Sequence, residues 1–288
     1  MPPRPPSDFS MPRVDAHVHL WDPIRGDYGW LTPKMTPLYR RFGHTDVKPL
    51  LDAANIAGAV LIQAAATSAE TDYLLAIAES VPWVLGVVGW VDLDAEDVED
   101  QVARRAKHPK FVGVRPMLQD IEDPLWILDP RRSRALKAME RHRLVFDALI
   151  RPVHLDAISQ VASDHPDLAI VIDHAAKPTI GWQLDQSWQS AMRRASRLSN
   201  VKCKISGLMT ELAPGTDTTM IGPHVETLLE LFAHGRLIWG SDWPVLTTAA
   251  TYAEWFRVSQ QCLARLDQAA LEGVMGGNAI RTYRVGSR

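Results

Sequence analysis

The chain has 288 residues, of which 46% are hydrophobic and 23% charged, and its formal net charge at pH 7 is −3. This is the balance of an ordinary globular protein, and the small negative charge argues against a nucleic-acid surface and gives no reason to expect a membrane partner. No apolar run reaches the ~18 residues of a membrane-spanning helix, and no secretory signal is recognisable. With only two cysteines, the composition suits a reducing compartment, and we expect a cytoplasmic protein.

The beginning of the chain differs from the rest. It is rich in proline up to Met11-Pro12, which predicts a flexible N-terminal arm over residues 1–12. No internal repeat or low-complexity tract divides the remainder, so we expect residues 13–288 to form one domain.

Eight short apolar runs alternate with helical patterns along that domain. Most are rich in Val, Ile and Leu without strict alternation, as is typical of parallel strands covered on both faces. Helices are predicted between them, with Asp46, Ser68 and Asp129 as N-caps. The runs are 13–20, 57–63, 83–91, 111–118, 144–150, 169–174, 201–208 and 237–243. Eight strands alternating with eight helices predict an α/β fold, a single (β/α)8 barrel of the TIM type.

Two connections are longer than plain turns, residues 21–44 after the first strand and residues 209–222 after the seventh. Both leave the C-terminal ends of strands, where barrel enzymes keep their active sites, and loops of this length are commonly lids. The first loop is aromatic and includes Tyr28 and Trp30. We therefore expect an extended, ordered loop after strand 1 and a lid-like loop after strand 7.

Two histidines end the first strand. Side chains two residues apart in a strand point to the same face, so His17 and His19 can converge on a metal ion or a polarised carbonyl. Asp242 ends the eighth strand, which lies beside the first in a closed barrel, so these three side chains should be neighbours. Taken singly, the histidines could be hydrogen-bonded barrel residues and Asp242 could cap a turn.

Further polar residues lie at other strand ends. The sixth run ends in Asp173-His174, and because adjacent strand residues face opposite ways, we expect His174 alone to point into the site. Arg115 ends the fourth run, where it could bind a carboxylate or hydroxyls through two hydrogen bonds, or pair with Asp147. Weaker candidates for substrate contact are Gln63, Asp147 and Lys204, and the roles of His154, Lys177 and Glu211 stay open.

In this order, these motifs resemble the amidohydrolase superfamily, and within it the amidohydrolase 2 branch, over nearly the whole chain. The resemblance is carried by Asp-Ala-His17-Val-His19-Leu-Trp-Asp-Pro, Ile-Asp-His174-Ala-Ala-Lys-Pro, Lys-Ile-Ser-Gly-Leu, Gly-Ser-Asp242-Trp-Pro and Gly-Asn278-Ala-Ile-Arg-Thr-Tyr. The first motif leads into Arg-Gly-Asp-Tyr-Gly-Trp-Leu, which is similar to lactonases acting on L-fucono- and L-rhamnono-lactones. The resemblance extends to 2-pyrone-4,6-dicarboxylate lactonase.

The resemblance includes one departure. Dinuclear members of the superfamily are expected to carry a bridging Lys or Glu on strand four and a His on strand five, where this chain has Arg115 and Asp147. An arginine stays protonated and cannot ligate a cation, so two metal ions are not expected. The resemblance leaves two options, no required cofactor or one divalent metal, zinc foremost. The ligands would be His17, His19, His174 and Asp242.

The resemblance implies a lactonase, a carboxylic-ester hydrolase of carbohydrate catabolism that opens a sugar 1,4- or 1,5-aldonolactone. Asp242 would activate water, while His17, His19 and His174 would polarise the carbonyl. The substrate would be bound by Arg115, Trp30, Tyr28, Gln63, Asp147 and Lys204.

Two alternatives stay open. One is a metal-dependent decarboxylase, or a hydrolase of an anionic pyrone- or muconolactone-type substrate, in which Arg115 would bind a carboxylate. The other is a barrel that binds a sugar acid or a protein partner without chemistry. The sequence does not fix which lactone is opened, nor whether the chain forms a homo-oligomer.

Overall fold

The computed structural model describes residues 11–285, so the predicted arm over residues 1–12 lies almost wholly outside the described residues. Eight parallel strands form one sheet, in which each strand pairs with the next along the chain. The strands are β1 (Arg13–Val18), β2 (Ile56–Ile62), β3 (Val84–Gly89), β4 (Phe111–Val114), β5 (Val145–Ala148), β6 (Ile170–Ile172), β7 (Val201–Ile205) and β8 (Leu237–Trp239). All eight predicted strands are confirmed, and each ends earlier than its apolar run because the last residues of the run enter a loop.

Helices connect the strands and cover the outside of the sheet. They are α1 (His44–Ala53), α2 (Ser68–Ser80), α3 (Val98–Ala106), α4 (Ser133–His142), α5 (Leu155–Asp164), α6 (Gln186–Ser196), α7 (Ile221–Phe232), α8 (Tyr252–Cys262), α9 (Gln268–Glu272) and α10 (Asn278–Tyr283). Between residues 11 and 285, no helix is long and apolar enough to span a membrane.

The sheet closes where the loop after β8 meets the end of β1. The amide of His19 donates to the carbonyl of Trp243 at 2.7 Å, and the amide of Asp242 donates to the carbonyl of His17 at 2.9 Å. Val18 and Trp243 form a parallel bridge at the same place. These contacts complete the barrel and confirm the predicted (β/α)8 fold.

The last helix closes the barrel from beneath. Ala279 and Tyr283 of α10 pack into the cluster of Val, Ile and Ala side chains that fills the barrel interior. The side-chain amide of Asn278 donates to the backbone carbonyl of Leu237, the first residue of β8, at 2.6 Å and to that of His234 at 2.7 Å. The motif around Asn278 therefore has a structural role, holding a plug at the end of the barrel away from the site.

Two of the three predicted N-caps are wrong by a few residues. Asp46 is the third residue of α1, where its carboxylate accepts from the amide of Gly43, the N-cap. The hydroxyl of Thr67, not Ser68, caps α2. Carboxylates favour both the N-cap and the first turn of a helix, so residue type alone does not separate these positions. Asp129 is confirmed as a cap, although of a short 3-10 turn that precedes α4.

Both long loops are tied to the barrel. In the first, Trp21 and Phe42 exchange two backbone hydrogen bonds of 2.9 and 3.1 Å, which pin the base of the loop. In the second, which follows β7, the stretch around Leu212 pairs with Ile180 of the neighbouring loop. The predicted extended loops are thus confirmed as ordered parts of the C-terminal face.

A buried carboxylate fastens the closure between β1 and β8. Asp15 Oδ1 accepts from the amides of Ser241 and His17 at 2.8 and 3.1 Å, and its Oδ2 accepts from the hydroxyl of Tyr252 on α8 at 2.8 Å. Burial raises the pKa of Asp15 to about 6, although these hydrogen bonds act in the opposite direction.

Asp15→Ala would leave three buried donors without an acceptor. Because each unsatisfied group costs ~1–3 kcal/mol, we expect the free energy of unfolding to fall by about 3 kcal/mol or more in urea denaturation. Tyr252→Phe is the matched control, since it removes one of the three bonds and should cost about 1 kcal/mol. An unchanged urea midpoint in Asp15→Ala would show that the carboxylate does not fasten the closure.

Candidate active site

Four side chains from three strand ends converge at the C-terminal face of the barrel. His17 Nε2 lies 3.2 Å from His19 Nε2, which lies 3.2 Å from Asp242 Oδ1. The same carboxylate oxygen is 3.7 Å from His17 Nε2 and 3.8 Å from His174 Nε2. All four side chains are buried. The structure therefore brings together the residues that the sequence selected from the first, sixth and eighth strands.

Local contacts fix the orientation of two imidazoles. His19 Nδ1 lies 2.9 Å from the carbonyl oxygen of Ile62, which can only accept, so Nδ1 carries a proton and Nε2 faces Asp242. His174 Nδ1 pairs with Ser206 Oγ at 3.0 Å. Gly207 makes room for this ring, because a Cβ there would lie 2.5 Å from His174 Nδ1, and its φ of +65° also favours glycine.

Asp173 is a site residue that the sequence reasoning missed. Residues 174–177 all have φ between 51° and 60°, a left-handed turn that costs non-glycine residues about 1–2 kcal/mol each. The turn breaks the alternation of side chains, so Asp173 faces His17, with 3.5 Å between Oδ1 and Nδ1, while His174 turns toward Asp242. The expectation that only His174 faces the site was wrong because β6 already ends at Ile172.

Buried charges form a layer beneath the imidazoles. The ammonium of Lys204 lies 2.5 Å from Asp147 Oδ2, 3.0 Å from Asp173 Oδ1 and 3.2 Å from His17 Nδ1. Burial would raise the pKa of Asp173, but Lys204 and His17 outweigh it and hold that pKa well below its usual range. For Asp147 burial prevails over Lys204 and raises the pKa to about 6. Tyr283 completes the layer by donating its hydroxyl to Asp147 at 2.9 Å.

Arg115 is held beside this layer by Gln63. Its Nη2 donates to Gln63 Oε1 at 2.9 Å and also to the backbone carbonyl of Gln63. Its Nη1 lies 3.5 Å from Asp173 Oδ2, so the salt bridge considered with Asp147 forms with Asp173 instead. The guanidinium is thereby fixed in one orientation against a cavity that it helps to line.

A cavity of about 210 Å³, here called the reaction cavity, opens above these groups. His19, His174 and Asp242 form its floor, and Arg115 and Lys177 add positive charge to its wall. The remaining lining residues are Trp21, Trp30, Ala64, Met117, Gln119, Asp120, Leu149 and Val245. Pockets for drug-sized ligands hold ~300–1,000 Å³, so this volume suits a ligand of a single small ring.

Several predicted substrate-binding residues lie behind this wall. Gln63, Asp147 and Lys204 are 0% exposed, and Tyr28 is 5% exposed. None of the four lines the reaction cavity, and their direct contact with a substrate stays a prediction. Polar strand-end residues can also face one another inside a barrel instead of facing the ligand. Trp30 does line the reaction cavity, fixed by a 2.7 Å bond from its Nε1 to the carbonyl of Ala64.

The three residues whose roles stayed open differ in position. Lys177 lines the reaction cavity, and its ammonium lies 4.0 Å from a carboxylate oxygen of Glu211. His154 is buried, and its Nδ1 accepts from the amide of Arg151. Lys177 is therefore placed to meet a ligand, whereas His154 has a structural contact.

Burial and the short distances between the floor side chains determine the charge states of Asp242 and His174. Burial alone would raise the pKa of Asp242, but His174, His19 and His17 outweigh it and hold that pKa well below its usual range. Burial lowers the pKa of His174 to about 4, against the opposing attraction of Asp242. At neutral pH the floor therefore presents a carboxylate beside a neutral imidazole, a donor set suited to a metal ion or a water molecule.

His17, His19 and Asp242 form a donor cluster that fits one divalent metal ion, and His174 Nε2 lies 3.8 Å from the Asp242 oxygen of that cluster. Tetrahedral zinc with ligands at ~2.0–2.1 Å separates its ligand atoms by about 3.3 Å, close to the 3.2–3.8 Å measured among the floor atoms. The bond from His19 Nδ1 to a carbonyl is the kind of contact that orients metal-binding imidazoles. His17, Asp173 and His174 form a second cluster of potential metal ligands. The ammonium of Lys204 contacts His17 and Asp173 in this cluster, so its positive charge opposes a second metal ion there.

A TIM barrel with His-x-His at the first strand, a His after the sixth and an Asp after the eighth defines an amidohydrolase-type site. The model of the family described as Amidohydrolase matches residues 14–285. The chain belongs to this family, which confirms the family inferred from the motifs.

Similar proteins come from two species of Burkholderia. The chain is 43% identical over 277 residues to an L-fucono-1,5-lactonase of Burkholderia ambifaria, covering 95% of this chain and 96% of that protein. It is 31% identical over 284 residues to an L-fucono-1,5-lactonase of Burkholderia multivorans, covering 94% and 95%. A crystal structure of a Burkholderia multivorans amidohydrolase with bound Zn superimposes with a TM-score of 0.89 at 31% identity, covering 95% and 99%.

We expect the chelator-treated protein to bind one equivalent of Zn²⁺ in a calorimetric titration. His19→Ala should weaken that binding by more than about 100-fold, because even outer partners of metal ligands are worth 10–100-fold. The control is His142→Ala, which alters an exposed histidine at the end of α4 and should leave the affinity unchanged. Equal affinity in wild type and His19→Ala would exclude the proposed ligand set.

Proposed function

We propose that the protein is a lactonase that hydrolyses a sugar 1,5-lactone to its open-chain aldonic acid, with L-fucono-1,5-lactone as the first candidate. The observation that carries the proposal is the convergence of ionised Asp242 with His19 and His174 on the floor of a cavity sized for one ring, with His17 directly behind them. Relatives named for this activity align with nearly the whole chain.

Asp242 is the proton acceptor in this proposal. Its carboxylate is ionised at neutral pH and lies at the cavity floor, where a water molecule beside it can attack the lactone carbonyl carbon. A carboxylate with a lowered pKa is a weak base, so attack must be assisted by polarisation of the carbonyl. Conversely, the acid formed when Asp242 takes up the proton is strong, which favours the next proton transfer.

The imidazoles and Arg115 stabilise the charge that develops on the carbonyl oxygen. Such preorganised groups contribute most in a buried site, where they need no reorganisation during the reaction. If Ser206 donates its hydroxyl to His174 Nδ1, the opposite nitrogen of the ring carries a proton and faces the floor. In the other tautomer of His174, with Nε2 unprotonated, a zinc ion held by His17, His19, His174 and Asp242 would supply Lewis-acid polarisation of the same carbonyl.

Collapse of the tetrahedral species breaks the bond between the carbonyl carbon and the ring oxygen. The departing alkoxide takes the proton from Asp242, which regenerates the carboxylate and yields a hydroxy acid. One water is consumed and one carboxylic acid is formed, which ionises and releases a proton at neutral pH. That proton makes the reaction measurable with a pH indicator.

The walls of the reaction cavity suit a sugar ring. Trp30 offers an apolar surface of the kind that packs against the C–H face of a sugar, while Arg115 and Lys177 can donate to hydroxyls. Because both cations line the same cavity, an anionic pyrone- or muconolactone-type substrate is a second candidate. Both classes belong in the substrate panel.

Asp242→Asn removes the proton acceptor while nearly preserving side-chain volume. We expect kcat on the best lactone of the panel to fall by about 10³-fold or more, within the 10²–10⁴-fold that acid–base catalysis contributes, with an unchanged circular dichroism spectrum. Asp97→Asn, at an exposed carboxylate before α3, is the matched control. A rate within a few-fold of wild type in Asp242→Asn would remove this residue from the mechanism.

A further inference from the structure

A second cavity adjoins the reaction cavity. It has a volume of about 500 Å³, and we call it the outer chamber. Trp30, Met117 and Asp120 line both spaces, so the two share a wall. The outer chamber lies over the loops that follow β1, β2, β3 and β4.

The volumes of the two spaces suit different ligands. The reaction cavity, at about 210 Å³, is smaller than the ~300–1,000 Å³ of pockets that hold drug-sized molecules, whereas the outer chamber falls within that range. A single lactone ring over the catalytic floor would leave the outer chamber unfilled. A substituent on the part of that ring far from Asp242 would point toward the shared wall.

The lining of the outer chamber combines flat aromatic surfaces with carboxylates that can accept hydrogen bonds from hydroxyl groups. Trp30, Trp90 and Trp126 are all partly exposed there. Three carboxylates, those of Asp27, Asp92 and Asp120, lie among them. Among the described residues that line the chamber, none is a Lys or an Arg. Indole faces with nearby carboxylates suit a polyhydroxylated ring, and the absence of cations disfavours an anion.

The hydrogen bonds of Asp27 give separate evidence that a ligand in the outer chamber would carry a hydrogen-bond donor. Its Oδ2 accepts from Arg25 at 2.9 Å and from Thr67 at 3.1 Å. Its Oδ1 is buried and has no hydrogen-bond donor within the described part of the chain. A buried acceptor without a partner is costly. Asp27 lines the outer chamber, so a small rotation of its carboxylate would offer an oxygen to the hydroxyl of a ligand there.

Two contacts argue against an organic cation as the occupant. The guanidinium of Arg132 already covers the ring of Trp126, 3.6 Å from its centroid. The charge of Asp27 is offset by its ion pair with Arg25. One indole face and one carboxylate are therefore engaged with the protein's own cations, which favours a neutral ligand over a cationic one.

We propose that the outer chamber is a carbohydrate subsite that binds a neutral second sugar ring attached to the lactone. The inference rests on the proposed lactonase function and extends its substrate class from single-ring lactones to glycosylated aldonolactones. Trp90 would stack on the added ring, and the carboxylate of Asp27 would accept from one of its hydroxyls.

Two variants test the outer chamber without touching the reaction cavity. Ala66→Trp introduces a bulky side chain at an exposed position that lines the chamber, and Trp90→Ala removes an indole. The matched control is Trp182→Ala, which removes a 68% exposed indole that lines neither space. The substrates are cellobiono-, maltobiono- and lactobiono-1,5-lactone, compared with glucono-1,5-lactone and L-fucono-1,5-lactone.

We expect wild type to hydrolyse at least one disaccharide lactone. Ala66→Trp and Trp90→Ala should each lower kcat/KM on it by about tenfold or more, as for loss of a buried aromatic contact, and change kcat/KM on the single-ring lactones less than about twofold. Calorimetric titration with cellobiose, maltose and lactose gives a second readout that needs no turnover, and the two variants should weaken that binding by a similar factor.

The outcomes separate this inference from the proposed function. Hydrolysis of single-ring lactones without millimolar binding of any disaccharide would overturn the subsite and leave the lactonase intact. Disaccharide binding that Ala66→Trp abolishes, without hydrolysis of any lactone, would keep a carbohydrate site and end the lactonase proposal. Binding of tetramethylammonium in preference to the sugars, or equal losses on both substrate classes, would also overturn the subsite.

Discussion

The site depends on the closure of the barrel between its last strand and its first. Two backbone hydrogen bonds, from Asp242 to His17 and from His19 to Trp243, join segments more than 220 residues apart. The same residues carry the side chains of the catalytic floor, so the contacts that close the fold also set the distances among imidazoles and carboxylate. Asp15 fastens this joint from behind, which links the stability of the closure directly to the geometry of the site.

Beneath the floor, one ammonium group organises the remaining charges. Lys204 lies between two carboxylates and an imidazole, where its positive charge opposes the binding of a second metal ion. Buried charges are costly unless they are paired and hydrogen-bonded, and this layer is completed by Tyr283 from the last helix. The C-terminal helix thus reaches the underside of the site, and Arg115 carries the same network to the cavity wall.

Periodic features of the chain were predictable, and local departures from periodicity were not. Eight apolar runs predicted the barrel, and the spacing of His17 and His19 predicted their shared face. Strand alternation assigned Asp173 to the face opposite His174. That assignment was wrong because alternation does not hold in the left-handed turn that follows β6. Inside the barrel, Asp147 and Lys204 pair with each other instead of facing a ligand, a choice that depends on side-chain distances across strands. The outer chamber depends on loop packing, which no pattern in the sequence encodes.

The most direct test of the account is a crystal structure of the Asp242→Asn protein with an unreacted L-fucono-1,5-lactone. We predict the lactone carbonyl over His17, His19 and His174, with the side chain at position 242 within reach of a water molecule on the carbonyl carbon. The far edge of the ring should face Met117 and the outer chamber. A lactone bound with its carbonyl directed away from the imidazoles, or outside the reaction cavity, would contradict the account.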